Sequence, residues 1–267
     1  KQIMILKILN PYKLLRFFTE FTSNNINFIK NKYLNSKFYD LNYLIQNLFS
    51  FDEKTYSKYC NNIVAEHQIG RIVNMRNLVD KHRNEITGDF LELGVFEGWS
   101  LVFFDKFLDK QKKMIGIDTF EGLPHDSVNV SLGQKSVPKW VKGEFGSTST
   151  LKVESNLKKF KCRQVSLLKG VFADKKIHEE LKKLSSHISI VHIDCDLRDS
   201  AYDALDLVKD YLNSKKSMFI LFDDWGVHQN EIPDGFYKWV NENQPVLKFN
   251  LEKLYTTNYT RYYKLSF

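Results

Sequence analysis

Five short runs of strand-forming residues constrain this chain more than any other feature. Phe90-Leu91-Glu92-Leu93-Gly94 ends on a glycine and Met114-Ile115-Gly116-Ile117-Asp118 on an acid. Gln164 to Leu168 is the third run, Ile188 to Ile193 is closed by Asp194, and Met218 to Phe222 is closed by Asp223 and Asp224. Helical stretches lie between runs: one starts near Gly98, one spans Leu151 to Phe160, and one carries Ala201, Leu205 and Val208 on a single face. Strands alternating with helices predict a mostly parallel, doubly wound α/β sheet. In such sheets the ligand crevice lies at the carboxyl ends of the strands, where these glycines and acids stand. The tail predicts an antiparallel hairpin, Phe249 to Leu254 and Arg261 to Leu265, bent at Thr256-Thr257-Asn258.

Upstream of the strands the pattern is helical. Leu14, Leu15, Phe17, Phe18 and Phe21 recur at helical spacing, as do Leu41, Leu44, Ile45 and Leu48. Residues 1–60 therefore read as a helical N-terminal extension and 61–267 as the α/β domain. The extension would pack on the main domain, on a second copy in a homodimer, or on a membrane surface as a peripheral contact. From Asn61 to His82 an amphipathic helix is expected, with Ile63, Ile69, Ile72, Val73 and Leu78 as its buried stripe. No run of eighteen uncharged apolar residues occurs, so no bilayer-spanning helix is expected. Cys60, Cys162 and Cys195 form no CxxC pair, which argues against a zinc knuckle or a disulfide framework and suits the reducing cytoplasm. The formal charge of +7 comes from lysines scattered along the chain, so it predicts solvated faces rather than a nucleic-acid patch.

Glu92-Leu93-Gly94-Val95-Phe96-Glu97-Gly98 is a strand–turn–helix junction with glycines four apart. Gly94 would let the backbone approach a ligand closely. The pattern falls short of GxGxxG, which disfavours a nicotinamide or flavin cofactor. Asp118 follows about twenty residues later, where an acid can accept hydrogen bonds from both ribose hydroxyls of a nucleoside.

His192-Ile193-Asp194-Cys195-Asp196 and Phe222-Asp223-Asp224 place four carboxylates at two strand ends. If the ends are neighbours, the carboxylates would repel each other unless a cation sits among them. Oxygen ligands suit a hard divalent ion, magnesium best, with calcium or manganese as alternatives. Such an ion would acidify a substrate hydroxyl, and a nearby carboxylate could remove its proton.

The segments from Gly88 to Gly98, Asp118-Thr119-Phe120-Glu121-Gly122-Leu123-Pro124, His192 to Leu197, and Phe222-Asp223-Asp224-Trp225-Gly226 together resemble the macrocin O-methyltransferase family. These are metal-dependent sugar O-methyltransferases with a Rossmann-like class I fold. The resemblance covers about residues 60 to 240. It implies S-adenosylmethionine near Glu92, Gly94, Gly98, Ser100, Asp118 and Gly170. It also implies Mg2+, or another divalent cation, on Asp194, Asp223 and Asp224, with Asp196 as general base. The chain departs from the family at Cys195, where a glycine is usual, and at Arg198-Asp199, where Tyr-Glu is common. Residues 125–146, where substrate loops would lie, show no similarity.

His125 and His228 follow the second- and fifth-strand motifs, and ordinary polar loop roles are expected for both. Trp99 and Trp225 would either stack on a ligand or pack on the sheet. Cys195, between two acids, should be a poor nucleophile. The expected activity is methyl transfer to a sugar hydroxyl of a small-molecule or glycan substrate, in polysaccharide or glycolipid biosynthesis. The alternatives are a catechol or other vicinal diol as acceptor, a cofactor-binding protein supporting hydroxylation, and a non-enzymatic module for nucleic acid or anionic membrane.

Overall fold

The computed structural model describes residues 39–59, 63–132, 135–212, 216–226, 230–257 and 259–267. The chain divides into two compact units, residues 1–70 and 71–267. The first unit includes α1 (Leu41–Gln46) and α2 (Glu53–Tyr59). Asp40 caps α1 by accepting the Asn42 N–H at 2.9 Å, and Leu41, Leu44 and Leu48 are buried, as their spacing predicts. The helical pattern from Leu14 to Phe21 lies outside the described residues. Helix α3 (Ile63–His82) starts in the first unit and ends in the second.

The second unit is built on a seven-stranded sheet. Its strands are β1 (Asp89–Leu93), β2 (Met114–Asp118), β5 (Val165–Lys169), β6 (Ile188–Ile193), β7 (Met218–Phe222), β8 (Asn250–Thr256) and β9 (Arg261–Ser266). Their order is β5-β2-β1-β6-β7-β9-β8. The first five are parallel, and β9 runs antiparallel to both β7 and β8. The helices between them are α4 (Trp99–Phe107), α5 (Thr150–Lys159), α6 (Lys175–Leu184), α7 (Arg198–Val208) and α8 (Glu231–Leu247). Two strands, β3 (Asn129–Leu132) and β4 (Lys135–Pro138), pair as a separate hairpin inside the expected long loop.

Central strands are covered on both faces, so they read as unbroken apolar runs. Phe90, Leu91 and Leu93 of β1 and all six residues of β6 are buried, each large aliphatic or aromatic side chain contributing roughly 1.5–3 kcal/mol. Edge strand β5 is only half-buried. Leu91, Ile115, Ile177, Leu181, Val191, Leu205, Phe236 and Trp239 belong to one continuous core that joins the sheet to α6, α7 and α8. Helices α6 and α8 do not stand out in the sequence: lysines dominate α6, and α8 contains Pro245. Among the described residues, no helix is long and apolar enough to cross a membrane.

Candidate active site

The parallel pairing sets the exits of β1, β2, β5, β6 and β7 along one edge, and a cavity of about 410 Å³ opens there. Gly94 and Asp118 line it from β1 and β2, Gly170 and Phe172 from the β5 exit, Asp194 and Asp196 from β6, and Asp224 from β7. Leu123, Pro124, His125 and Phe145 close its outer side, and Ser200 and Asp203 face it from α7.

Four strand exits turn in the left-handed region: Phe96 (φ 48), Phe120 (φ 53), Asp196 (φ 60) and Asp224 (φ 55). Each costs about 1–2 kcal/mol for an ordinary side chain, less for aspartate, and persists because its surroundings hold it. At β1 the holding group is Asp118. Its Oδ2 accepts the N–H groups of Val95 (2.8 Å) and Phe96 (2.9 Å), and its Oδ1 accepts that of Phe120 (2.7 Å). The acid expected to meet ribose therefore also clamps both turns; with the Thr119 hydroxyl 3.4 Å from Oδ1 it accepts four hydrogen bonds, so a ligand hydroxyl would have to share or displace one of them.

Gly94 plays a part beyond the one its spacing suggested. At φ 89, a Cβ on it would overlap the backbone carbonyl of Asp194, so the glycine admits the β6 exit as well as lining the cavity. Gly98 caps α4, and a Cβ there would press on Val153 at 2.9 Å. Gly122, in the Asp118–Pro124 segment, lets that segment pair with 143–144: the Leu123 N–H donates to the Glu144 carbonyl and the Gly143 N–H to the Leu123 carbonyl, both at 2.9 Å. Phe145, held against Trp140 (5.1 Å between centroids) and Phe96 (6.1 Å), completes this cover.

Glu92, Gly98, Ser100 and Asp223 do not stand in the cavity wall. Glu92 is fully buried, and its Oε1 is bonded to His192 Nδ1 at 3.0 Å. Burial pushes its carboxyl above the usual carboxylate range, and His192 offsets part of that rise. A ring nitrogen of His192 and the carboxylates of Asp194 and Asp223 lie within 4.8 Å of one another. Asp223 is buried and accepts Arg71 Nη1 at 2.9 Å, while the same nitrogen stands 3.8 Å from Asp194. Burial raises the Asp194 carboxyl well above its ordinary value. Asp223, Asp224 and Asp196 push it further, and Arg71 opposes them. The two strand ends therefore do meet, as the acids required.

Arg71 is the participant that sequence patterning missed. It stands on α3 with Gln68 and Met75, all buried, beside the expected stripe of Ile69, Ile72, Val73 and Leu78, which is buried too. The side chain of Ile63 lies outside the described set. Trp225 packs among Phe222, Phe236 and Tyr263, which favours its structural role, and Trp99 donates to Glu97 at 3.3 Å. His125 lines the cavity with Nδ1 on the Asp126 carbonyl, and His228 lies outside the described residues. Burial and then Asp196 push the Cys195 thiol far up, consistent with an inert cysteine.

The family model for macrocin O-methyltransferase (TylF) matches residues 30–250. The solved structure of the O-methyltransferase NovP is similar, with a TM-score of 0.58 at 20% identity over 74% of this chain and 81% of that one. The calicheamicin methyltransferase CalS11 is similar with a TM-score of 0.56 at 18% identity over 83% and 90%. At these identities the two structures speak for the fold. No curated protein sequence matches the chain.

Proposed function

The chain belongs to the macrocin O-methyltransferase family and is an S-adenosylmethionine-dependent O-methyltransferase of class I fold; on that premise we propose that its acceptor is a sugar hydroxyl and that a divalent cation assists. The sugar would belong to a glycoside or to a polysaccharide or glycolipid precursor, methylated in the cytoplasm. One observation carries the reading: Gly94, Asp118, Asp194, Asp196 and Asp224 line a single cavity, with the buried Asp223 carboxylate within 4.8 Å of that of Asp194.

The residues fit both groups. A cavity of about 410 Å³ lies within the range of small-molecule sites. Asp194, Asp223 and Asp224 offer hard oxygen donors, and Asp223 and Asp194 share the guanidinium of Arg71. These three would hold Mg2+ or a similar ion. The cofactor, when bound, supplies an electrophilic methyl on a cationic sulfur. The cation supplies the Lewis acidity that makes a hydroxyl proton easier to remove.

Asp118 keeps the β1 and β2 turns in place and would help hold the nucleoside of the cofactor. Leu123, Phe145 and Phe172 give the cavity apolar walls that exclude water and strengthen every polar contact inside. Asp196, which lines the cavity with Asp194, would take the hydroxyl proton as general base.

The test is methyl transfer from labelled S-adenosylmethionine to a panel of glycosides and catechols, with and without EDTA. Methylation of glycosides, abolished by EDTA and restored by Mg2+, is the expected result. Activity that survives complete metal removal would overturn the cation, and turnover of catechols alone would overturn the sugar.

A further inference from the structure

Arg71 places a fixed positive charge inside the acid cluster, and the reaction just described gives it no task. Its guanidinium is 2.9 Å from Asp223, 3.8 Å from Asp194 and 5.9 Å from the centroid of the Phe103 ring. Both Arg71 and Asp223 are buried, with side chains 7% and 1% exposed. Burial alone would make the guanidinium easier to neutralise, but Asp223 and then Asp194 hold it firmly charged. Removing one partner of a buried ion pair leaves the other charge uncompensated, at a cost far above that of a surface pair.

From this geometry we infer that Arg71 is a positioning residue: it is the resident counter-charge of Asp223 and Asp194, keeping the metal-free protein folded and competing with the divalent ion for the same carboxylates. The inference rests on the cation reading above. Arg71 holds Asp223 Oδ2 from helix α3 at 2.9 Å, a contact that an arriving ion would have to share or displace. It also withdraws part of the negative charge the ion would otherwise meet. Arg71 therefore weakens ion binding and makes the fold independent of it. A neutral side chain of similar length should reverse both effects.

Mn2+ binding by calorimetry and thermal unfolding in EDTA or in Mn2+ test this with wild type and Arg71→Met. Expected is Mn2+ affinity at least about tenfold higher in Arg71→Met, on the scale of one close charge pair. In EDTA the variant's Tm should fall by about 10 °C, and Mn2+ should restore most of the loss. Equal loss of Tm with and without Mn2+, together with unchanged affinity, would reduce Arg71 to ordinary packing and overturn the proposal. Weaker Mn2+ binding in the variant would overturn it as well. If Arg71→Met does not fold in EDTA, the double variant Arg71→Met/Asp223→Asn decides: recovery of metal-free folding supports the counter-charge role, and continued failure to fold overturns it. Wild type that binds no Mn2+ would instead sink the cation reading itself, an outcome distinct from wild type that binds while Arg71→Met behaves identically.

Discussion

Gly94 and Asp194 touch backbone to backbone: a Cβ on Gly94 would occupy the space of the Asp194 carbonyl, whose neighbouring N–H donates to the Leu93 carbonyl at 2.9 Å. The glycine turn and the first acid of the β6 exit are one packed unit. Gly94→Ala should therefore act on stability as well as on the cofactor. Left-handed strain of about 1–2 kcal/mol adds to an overlap of about 1–3 kcal/mol. Denaturant titration should show at least about 2 kcal/mol lost. If stability holds and only cofactor affinity falls, the glycine serves ligand approach instead.

Asp118 joins two turns through three backbone N–H groups, so Asp118→Asn should loosen both. Hydrogen bonds to a charged acceptor contribute about 1.5–3 kcal/mol each. An amide also presents a donor where an acceptor stood. Calorimetry with S-adenosylhomocysteine should show affinity reduced by at least about tenfold, roughly 1.4 kcal/mol. Amide exchange at Val95, Phe96 and Phe120 should accelerate. Weakened binding with unchanged exchange would mean that Asp118 acts on the ribose alone.

Asp196 sits at φ 60, a backbone conformation that asparagine tolerates as readily as aspartate. Asp196→Asn should consequently fold and bind cofactor as wild type does. Turnover should fall about 10²–10⁴-fold, the usual contribution of a positioned general base. Loss of cofactor affinity of similar size would assign Asp196 to cofactor binding instead.

Strand identity was legible where burial on both faces leaves a continuous apolar run, and Ile188–Ile193 and Met218–Phe222 begin and end where those runs do. The convergence of Asp194 with Asp223 was legible too, because a doubly wound sheet brings its strand exits together. Helix α6 was not, since Lys175, Lys176, Lys182 and Lys183 leave Ile177 and Leu181 as its only buried residues. Arg71 escaped because a helix covered on two faces has no clean polar side, so a buried cation looks like a surface one. Glu92 was drawn to the ligand by its place in the motif. Alternation along β1 puts its side chain opposite those of Leu91 and Leu93, and it meets His192 instead.

Asp105 on α4 is fully buried among Arg163 Nε (2.7 Å), Lys110 Nζ (2.9 Å) and Lys106 Nζ (3.2 Å). Arg163 also donates to the carbonyls of Asp105 and Leu108 at the end of α4 and of Asp109 and Lys112 in the loop that follows. Burial alone would raise the Asp105 carboxyl, but hydrogen bonds from Lys110 and Arg163 outweigh it and hold it far below the usual range. Asp105→Asn should cost about 3–5 kcal/mol at neutral pH, as expected when one side of a buried ion pair is removed. A carboxyl depressed by folding stabilises the native state at every pH above its unfolded value of about 3.9. That contribution fades only as pH falls towards the folded value. The gap between wild type and variant should therefore stay flat from about pH 8 to pH 5 and narrow only in stronger acid. Urea titrations across that range check it, and a gap that closed between pH 7 and pH 5 would show that Asp105 titrates there and is not held ionised by its cations.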